Sequence, residues 1–180
     1  MAKQMERRTI KRIAVIGPES TGKTEICQFL KKEFNIAVVE EYSRTYLEKI
    51  SIKNVTYRDV LNIYNSQWQI EMDMLRIHEK IVVDTESIIA KYWLLKEFSM
   101  HDDLIESRII SFPYDFYLLT DTAIEWQPDP LRENKFSREL LFKDYLNELK
   151  INNLRYSIVS GTGEARIKNV INILQSINFI

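Results

Sequence analysis

The chain has 180 residues but only one cysteine, Cys27, and two histidines, His78 and His101. It therefore has no internal disulfide, and it lacks the ligands for a Cys/His zinc site. No apolar run approaches the ~20 residues that a membrane span needs, and residues 1–10 lack the apolar core of a secretion signal. Charge of one sign is also lacking. Lys and Arg number 25 against 26 Asp and Glu, a net charge of −1, whereas a dedicated nucleic-acid binder carries a strongly basic face. What is present, 45% hydrophobic and 28% charged residues, excludes a disordered chain and suffices for one sizeable core. The expectation is a soluble, cytoplasmic, single domain over residues 1–180, with 1–10 a loosely packed start, no membrane partner and no nucleic-acid partner.

Glycine is also scarce: there are 4, where ordinary usage of about 7% gives about 12. They fall in two pairs, Gly17 with Gly22 and Gly161 with Gly163. Each pair follows a short β-branched run (Arg12–Ile16; Arg155–Val159) and precedes a stretch of helical spacing. Glycine supplies unusual backbone angles and close backbone approach, so the pairing marks two strand-to-helix turns rather than scattered loops.

Further short apolar runs at 36–39, 80–84 and 114–119 read as strands buried on both faces. Helical spacing covers roughly 23–34, 41–50, 57–79, 86–99, 102–111, 133–150 and 163–177. Strand and helix alternate along the whole chain, which predicts a doubly wound α/β sheet.

Gly17-Pro18-Glu19-Ser20-Thr21-Gly22-Lys23-Thr24 satisfies G-x-x-x-x-G-K-[ST] between a strand and a helix. The glycines let successive backbone N–H groups curl around phosphate oxygens at a helix N-terminus, where the dipole also favours anions. Lys23 is then expected to reach the β- and γ-phosphates of ATP, and the Thr24 hydroxyl to ligate Mg²⁺. Asp84 closes an apolar strand and is the candidate second acid for metal or nucleophile; the alternative is a helix cap. Glu40-Glu41-Tyr42-x-Arg44 follows the second strand at the same sheet edge, where open α/β sheets bind ligands.

Beyond the phosphate loop, residues 114–132 carry a strand, an acidic turn, Ile124-x-Trp126, then Asp129 and Leu131-Arg132. With Glu41-Tyr42-x-Arg44, Asp84-Thr85, Gln67 four residues before Glu71, and Ser160-Gly161-Thr162-Gly163, this pattern resembles the nicotinamide riboside kinases of the NadR type. The resemblance spans about residues 12–175. It implies a P-loop kinase fold of five parallel strands in the order 2-3-1-4-5, with helices on both faces. It also implies phosphoryl transfer from ATP, with Mg²⁺, to the 5′-hydroxyl of a small-molecule nucleoside, nicotinamide riboside.

Carried over by residue, the resemblance implies an acceptor pocket of Glu41, Tyr42, Arg44, Gln67, Trp126, Asp129 and Arg132. Trp126 would offer its face to a cationic pyridinium, or else plug the core. Gly161, Thr162 and Gly163 would join residues 17–24 around ATP. Lys23 and the loop amides would stabilise charge, and Arg44, Arg132 and Arg138 would neutralise charge developing on the transferred group. Asp84 and Glu41 both stand as general base. Arg132, Lys135 and Arg138, at helical spacing, read as a lid or as a solvated basic face. The pattern departs from the family at Ala123, where a second acid is usual, and at Ser137-Arg138, where paired arginines are. Neither His78 nor His101 can build a nucleotidyltransferase H-x-G-H, so a stand-alone kinase-type unit is expected. The competing readings are a kinase for another nucleoside or small alcohol, and a nucleotide-dependent switch.

Overall fold

The structure, a computed structural model, describes residues 11–50, 52–127 and 138–180. Five strands, β1 (Arg12–Ile16), β2 (Ala37–Val39), β3 (Ile81–Asp84), β4 (Phe116–Thr120) and β5 (Tyr156–Val159), form one parallel sheet in the order β2-β3-β1-β4-β5. This is the order expected from the resemblance. Around it lie α1 (Lys23–Phe34), α2 (Tyr42–Leu47), α3 (Tyr57–Ile77), α4 (Ser87–Phe98), α5 (Asp103–Ser111), α6 (Arg138–Ile151) and α7 (Gly163–Ser176), with a 3₁₀ turn over Ile52–Asn54.

Alternation along the strands decides which helix covers which face. Ile13, Val15, Val82, Phe116 and Leu118 pack with Ile26 and Leu30 of α1 and Val170 and Leu174 of α7. Ala14, Ile16, Val83, Tyr117 and Leu119 pack on the other face with Ile88 of α4, Ile109 of α5 and Tyr145 and Leu149 of α6. A third cluster off the sheet joins Leu47, Val60, Ile63, Tyr64, Ala90, Leu94 and Ile105. It fixes α2, α3, α4 and α5 to one another and so builds a wall beside the strand ends.

Element boundaries follow local hydrogen bonding. β4 begins at Phe116 rather than Tyr114 because the Asp115 carboxylate accepts from the backbone N–H groups of Lys11 and Arg12, at 3.0 and 3.1 Å. α3 starts at a capping box, with Thr56 Oγ1 accepting from Asp59 N and Asp59 Oδ2 accepting from Thr56 N. α2 stops at Leu47, short of the expected residue 50, and the backbone turns through the 3₁₀ segment. For the last helix pair the expected start at residue 133 lies outside the described residues, and α6 is described from Arg138.

No helix among the described residues is long and apolar enough to cross a membrane.

Candidate functional site

The phosphate loop leaves β1 at Gly17 and enters α1 through Gly22, whose φ of 75° is left-handed. Gly17 is dictated by space as well as by its φ of 150°. A Cβ there would lie 2.0 Å from Thr120 Oγ1 and 2.8 Å from the Thr120 carbonyl oxygen. The loop is tied from inside by Thr21, whose hydroxyl donates to Pro18 O at 2.7 Å and lies 2.7 Å from Thr120 Oγ1. Lys23 is buried, and its Nζ donates to the carbonyls of Gly17 and Pro18 at 3.0 and 2.9 Å. Its charge is thus held within the curl of the loop, where the sequence put it.

Register brings the second acid to the loop. Val15 is paired with Asp84 across β1 and β3, so the carboxylate stands at the strand end beside the residues that follow Gly17. The Thr24 hydroxyl donates to Asp84 Oδ2 at 2.6 Å, although 60 residues separate them in sequence. Asp84 does not cap α4. Glu86 does, its Oε1 accepting from Ile88 N at 2.9 Å. Burial pushes the Glu86 carboxyl up to about 8, and Glu71 adds to the effect against the opposing backbone bond and Arg12.

Glu41 is the N-cap residue of α2. Its carboxylate accepts from Ser43 Oγ at 2.7 Å and lies 3.4 Å from Arg44 Nε. Gln67 is buried and bridges two loops: Tyr42 N donates to its Oε1 at 2.8 Å, while its Nε2 donates to the carbonyls of Asp84 and Thr85 at 3.4 and 3.5 Å. Its amide therefore fixes the β2 and β3 loops to each other. Glu71, one turn further along α3, pairs with Arg12 at 2.9 Å and accepts from Tyr114 OH at 2.6 Å, which makes it part of a buried structural network. Glu40 points outward to Lys31 at 3.3 Å.

Between the phosphate loop, α2 and α4 lies a cavity of about 450 Å³. Gly17, Glu19, Lys23 and Thr85 line one end with Glu41 and Ser43, and Tyr64, Tyr92, Trp93, Phe98 and Tyr145 supply aromatic wall. Glu19 thus faces this cavity. Lys53 and Lys96, both exposed, also belong to the lining. The volume suits a nucleoside-sized molecule.

Trp126 is placed elsewhere. The stretch 121–127 lies against the phosphate loop, with Ser20 Oγ donating to Gln127 O at 3.1 Å and Ile124 Cδ1 3.0 Å from where a Gly22 Cβ would stand. Half-buried Trp126 is not among the described residues lining the cavity; the tryptophan there is Trp93. Asp129, Arg132 and Lys135 lie outside the described residues. Arg138, expected in a lid that neutralises the transferred group or on a solvated basic face, is buried, and its Nη2 donates to Ser20 O at 3.1 Å and Ile124 O at 2.8 Å. Desolvation lowers its affinity for a proton. Both bonds run through one nitrogen, so the guanidinium ties the phosphate loop to the 121–127 stretch by its Nη2.

The second glycine turn, Gly161-Thr162-Gly163, also has both glycines at positive φ, 89° and 51°. It leads into α7, and buried Arg166 reaches back from the first turn of that helix to the phosphate loop. Sequence reasoning passed over Arg166. A signal was available: a cation in the first turn opposes the helix dipole, so such an arginine needs a partner elsewhere. Trp93 was passed over because apolar residues of α4 fall on every side of the helix, so periodicity marks no face. Among the described residues no group of three or more His, Cys, Asp and Glu is arranged to hold a metal ion.

A family model described as an AAA domain matches residues 12–166. The trifunctional NAD biosynthesis/regulator protein NadR of Salmonella typhimurium (strain LT2) is 21% identical over 155 residues, covering 82% of this chain and 37% of that protein. A crystal structure of NadR protein in complex with NR superposes with a TM-score of 0.82 at 21% identity, over 97% of this chain and 52% of that one. A deoxyadenosine kinase from M. mycoides superposes with a TM-score of 0.60 at 16% identity, over 92% and 99%. The chain thus spans little more than a third of the curated relative and about half of the NadR crystal chain. These findings agree with the NadR-type resemblance, and the fold is the P-loop kinase-like one. With the matched model running from the first residue of β1 into α7, the chain belongs to the AAA domain family.

Proposed function

We propose that the chain is an ATP-dependent phosphotransferase that phosphorylates the 5′-hydroxyl of nicotinamide riboside, giving nicotinamide mononucleotide, and that residues 1–180 act as one kinase-type unit. The observation that carries this reading is the phosphate loop opening, at Lys23 and beside Thr24 and Asp84, onto a nucleoside-sized cavity. Nicotinamide riboside itself is suggested by the NR complex of NadR.

ATP would lie with its triphosphate in the curl of residues 17–24, whose backbone N–H groups and Lys23 face phosphate oxygens, and its base towards Gly161–Gly163. The donor set at Thr24 and Asp84, a hydroxyl and a carboxylate 2.6 Å apart, is hard oxygen of the kind Mg²⁺ prefers. These two residues would hold it. When bound, the ion supplies positive charge to the β- and γ-phosphoryl oxygens.

In the reaction the acceptor O5′ forms a bond to the γ-phosphorus as the bond from that phosphorus to the β,γ-bridging oxygen breaks. The hydroxyl proton passes to the carboxylate of Asp84 or Glu41, and Asp84→Asn and Glu41→Gln tell the two apart. Lys23 offsets charge on the oxygens of the transferred group, where loose transition states place it. Glu41, held by Ser43 and Arg44, and Glu19 offer acceptors for ribose hydroxyls. Trp93 and Tyr64 offer faces for the base. Asp129 and Arg132, outside the described residues, keep the acceptor-side roles that the family pattern implies.

A second reading is an acceptor nucleoside with a neutral base. Lys53 and Lys96 in the lining favour it, because like charge does not suit a cationic pyridinium. Both readings are tested by incubating the protein with MgATP and equal concentrations of nicotinamide riboside, uridine and deoxyadenosine, with products identified by mass. Nicotinamide mononucleotide as the dominant product is expected. Uridine monophosphate formed as efficiently would overturn the nicotinamide riboside assignment and leave a general nucleoside kinase.

A further inference from the structure

Arg166 carries more than an ordinary helix residue should. It lies in the first turn of α7, where the helix dipole disfavours a cation, yet it is 3% exposed. Its Nη2 donates to Thr21 O at 2.7 Å, inside the phosphate loop. Its Nη1 donates to Gly161 O at 2.9 Å, in the second glycine turn, and to Asp121 Oδ1 at 2.8 Å, in the loop after β4. Asp121 supplies the countercharge, and its own N–H donates to Val159 O at 3.0 Å, at the end of β5. A Cβ at Gly22 would lie 3.9 Å from Arg166 Nε, so the guanidinium also packs on the turn that feeds α1.

One planar group therefore meets three loops at the strand ends. The fork of an arginine holds several acceptors in fixed directions, which a lysine cannot do. Both glycine pairs of the chain, 144 residues apart at Gly17 and Gly161, are brought into one frame by this side chain. We propose that Arg166 is a positioning residue for nucleotide recognition: it sets the phosphate loop and the Gly161–Gly163 turn at the spacing that lets one nucleotide engage both. The inference rests on the nucleotide reading above. It adds that the base and the triphosphate are read jointly, through one side chain bonded to both turns.

The joint reading has a direct measure. MgATP and magnesium tripolyphosphate are titrated separately into the wild type, Arg166→Gln and Arg166→Lys by calorimetry, with melts run alongside. The ratio of the two Kd values reports what the nucleoside adds to the phosphate chain. Loss of charged hydrogen bonds to both loops should reduce that ratio about ten-fold or more in Arg166→Gln, with tripolyphosphate binding shifted less. Arg166→Lys should recover part of the ratio. An unchanged ratio in both variants overturns the proposal, even if Tm falls or both ligands weaken together, since that is how a merely structural arginine behaves. Should Arg166→Gln fail to fold, the ratio in Arg166→Lys decides in the same way: reduced supports the proposal, unchanged overturns it. A wild type that binds neither ligand overturns the nucleotide reading itself, a result distinct from either of these.

Discussion

The spacing of Gly17, Gly22, Lys23 and Thr24 encodes its own geometry, because a loop that short between strand and helix has few ways to close. Lys23→Ala should abolish phosphoryl transfer and leave the fold intact, checked by turnover beside a melt; wild-type turnover would remove the loop from the mechanism. Asp84→Asn should cut turnover by about 10²-fold, the scale of a lost general base, whereas Glu41→Gln should raise the acceptor KM more than it lowers kcat. The reverse pattern would make Glu41 the base. Arg138 and Gln67 were illegible in role because their partners are backbone carbonyls and amides from distant loops, and no local pattern records such a partner.

Buried Glu86 makes the stability of the fold depend on pH. Its folded-state value, raised to about 8 chiefly by burial, means the folded chain keeps a proton that the unfolded chain releases above its ordinary range, about 4.5. Its contribution to stability is therefore complete below about pH 4.5 and is lost as pH rises to and through about 8. Glu86→Gln should flatten the fall of Tm between about pH 5 and about pH 9. Equal slopes for the two proteins would show that Glu86 ionises without cost.

At the scale of elements, strands and helices were placed well wherever a cap or a turn residue was in the sequence. The Thr56–Asp59 capping box starts α3, and Asp59 Oδ1 also accepts from Tyr46 OH at 2.7 Å, which ties α3 to α2. Asp59→Ala should lower the denaturation midpoint, because it removes the N3 arm of the capping box together with the bond from Tyr46, and denaturant melts read the loss. A larger share of that loss should be recovered by Asp59→Asn, which keeps acceptor geometry. What the sequence could not convey was which helix walls the cavity. α4 has apolar residues on every side, and its tryptophan is separated from the site by sequence but not by space. Trp93→Ala should raise the acceptor KM by about ten-fold or more with the ATP KM little changed, if its face holds the base. Trp126→Ala, altering the stretch packed on the phosphate loop, should disturb ATP binding instead. Steady-state kinetics for both substrates distinguishes the two, and an acceptor defect confined to Trp126→Ala would return the stacking role to that residue.

For the whole molecule, alternation of strand and helix was enough to give the class of fold, and the order β2-β3-β1-β4-β5 came with the family pattern. That order places the ends of β1, β3 and β4 side by side, which is why residues around positions 17, 84 and 120 can meet. The contact between Gly17 and Thr120 then has a consequence for engineering. Because the first glycine of the loop is pressed against a strand ~100 residues later, and Thr21 is joined to that same threonine, the eight-residue loop is not a portable cassette. Transplanted into a related scaffold, it should work only where the neighbouring strand ends in a side chain no larger than threonine, with a hydroxyl in that place. Recipients ending in valine at that position keep the room but lose the hydroxyl partner of Thr21, and those ending in leucine lose both.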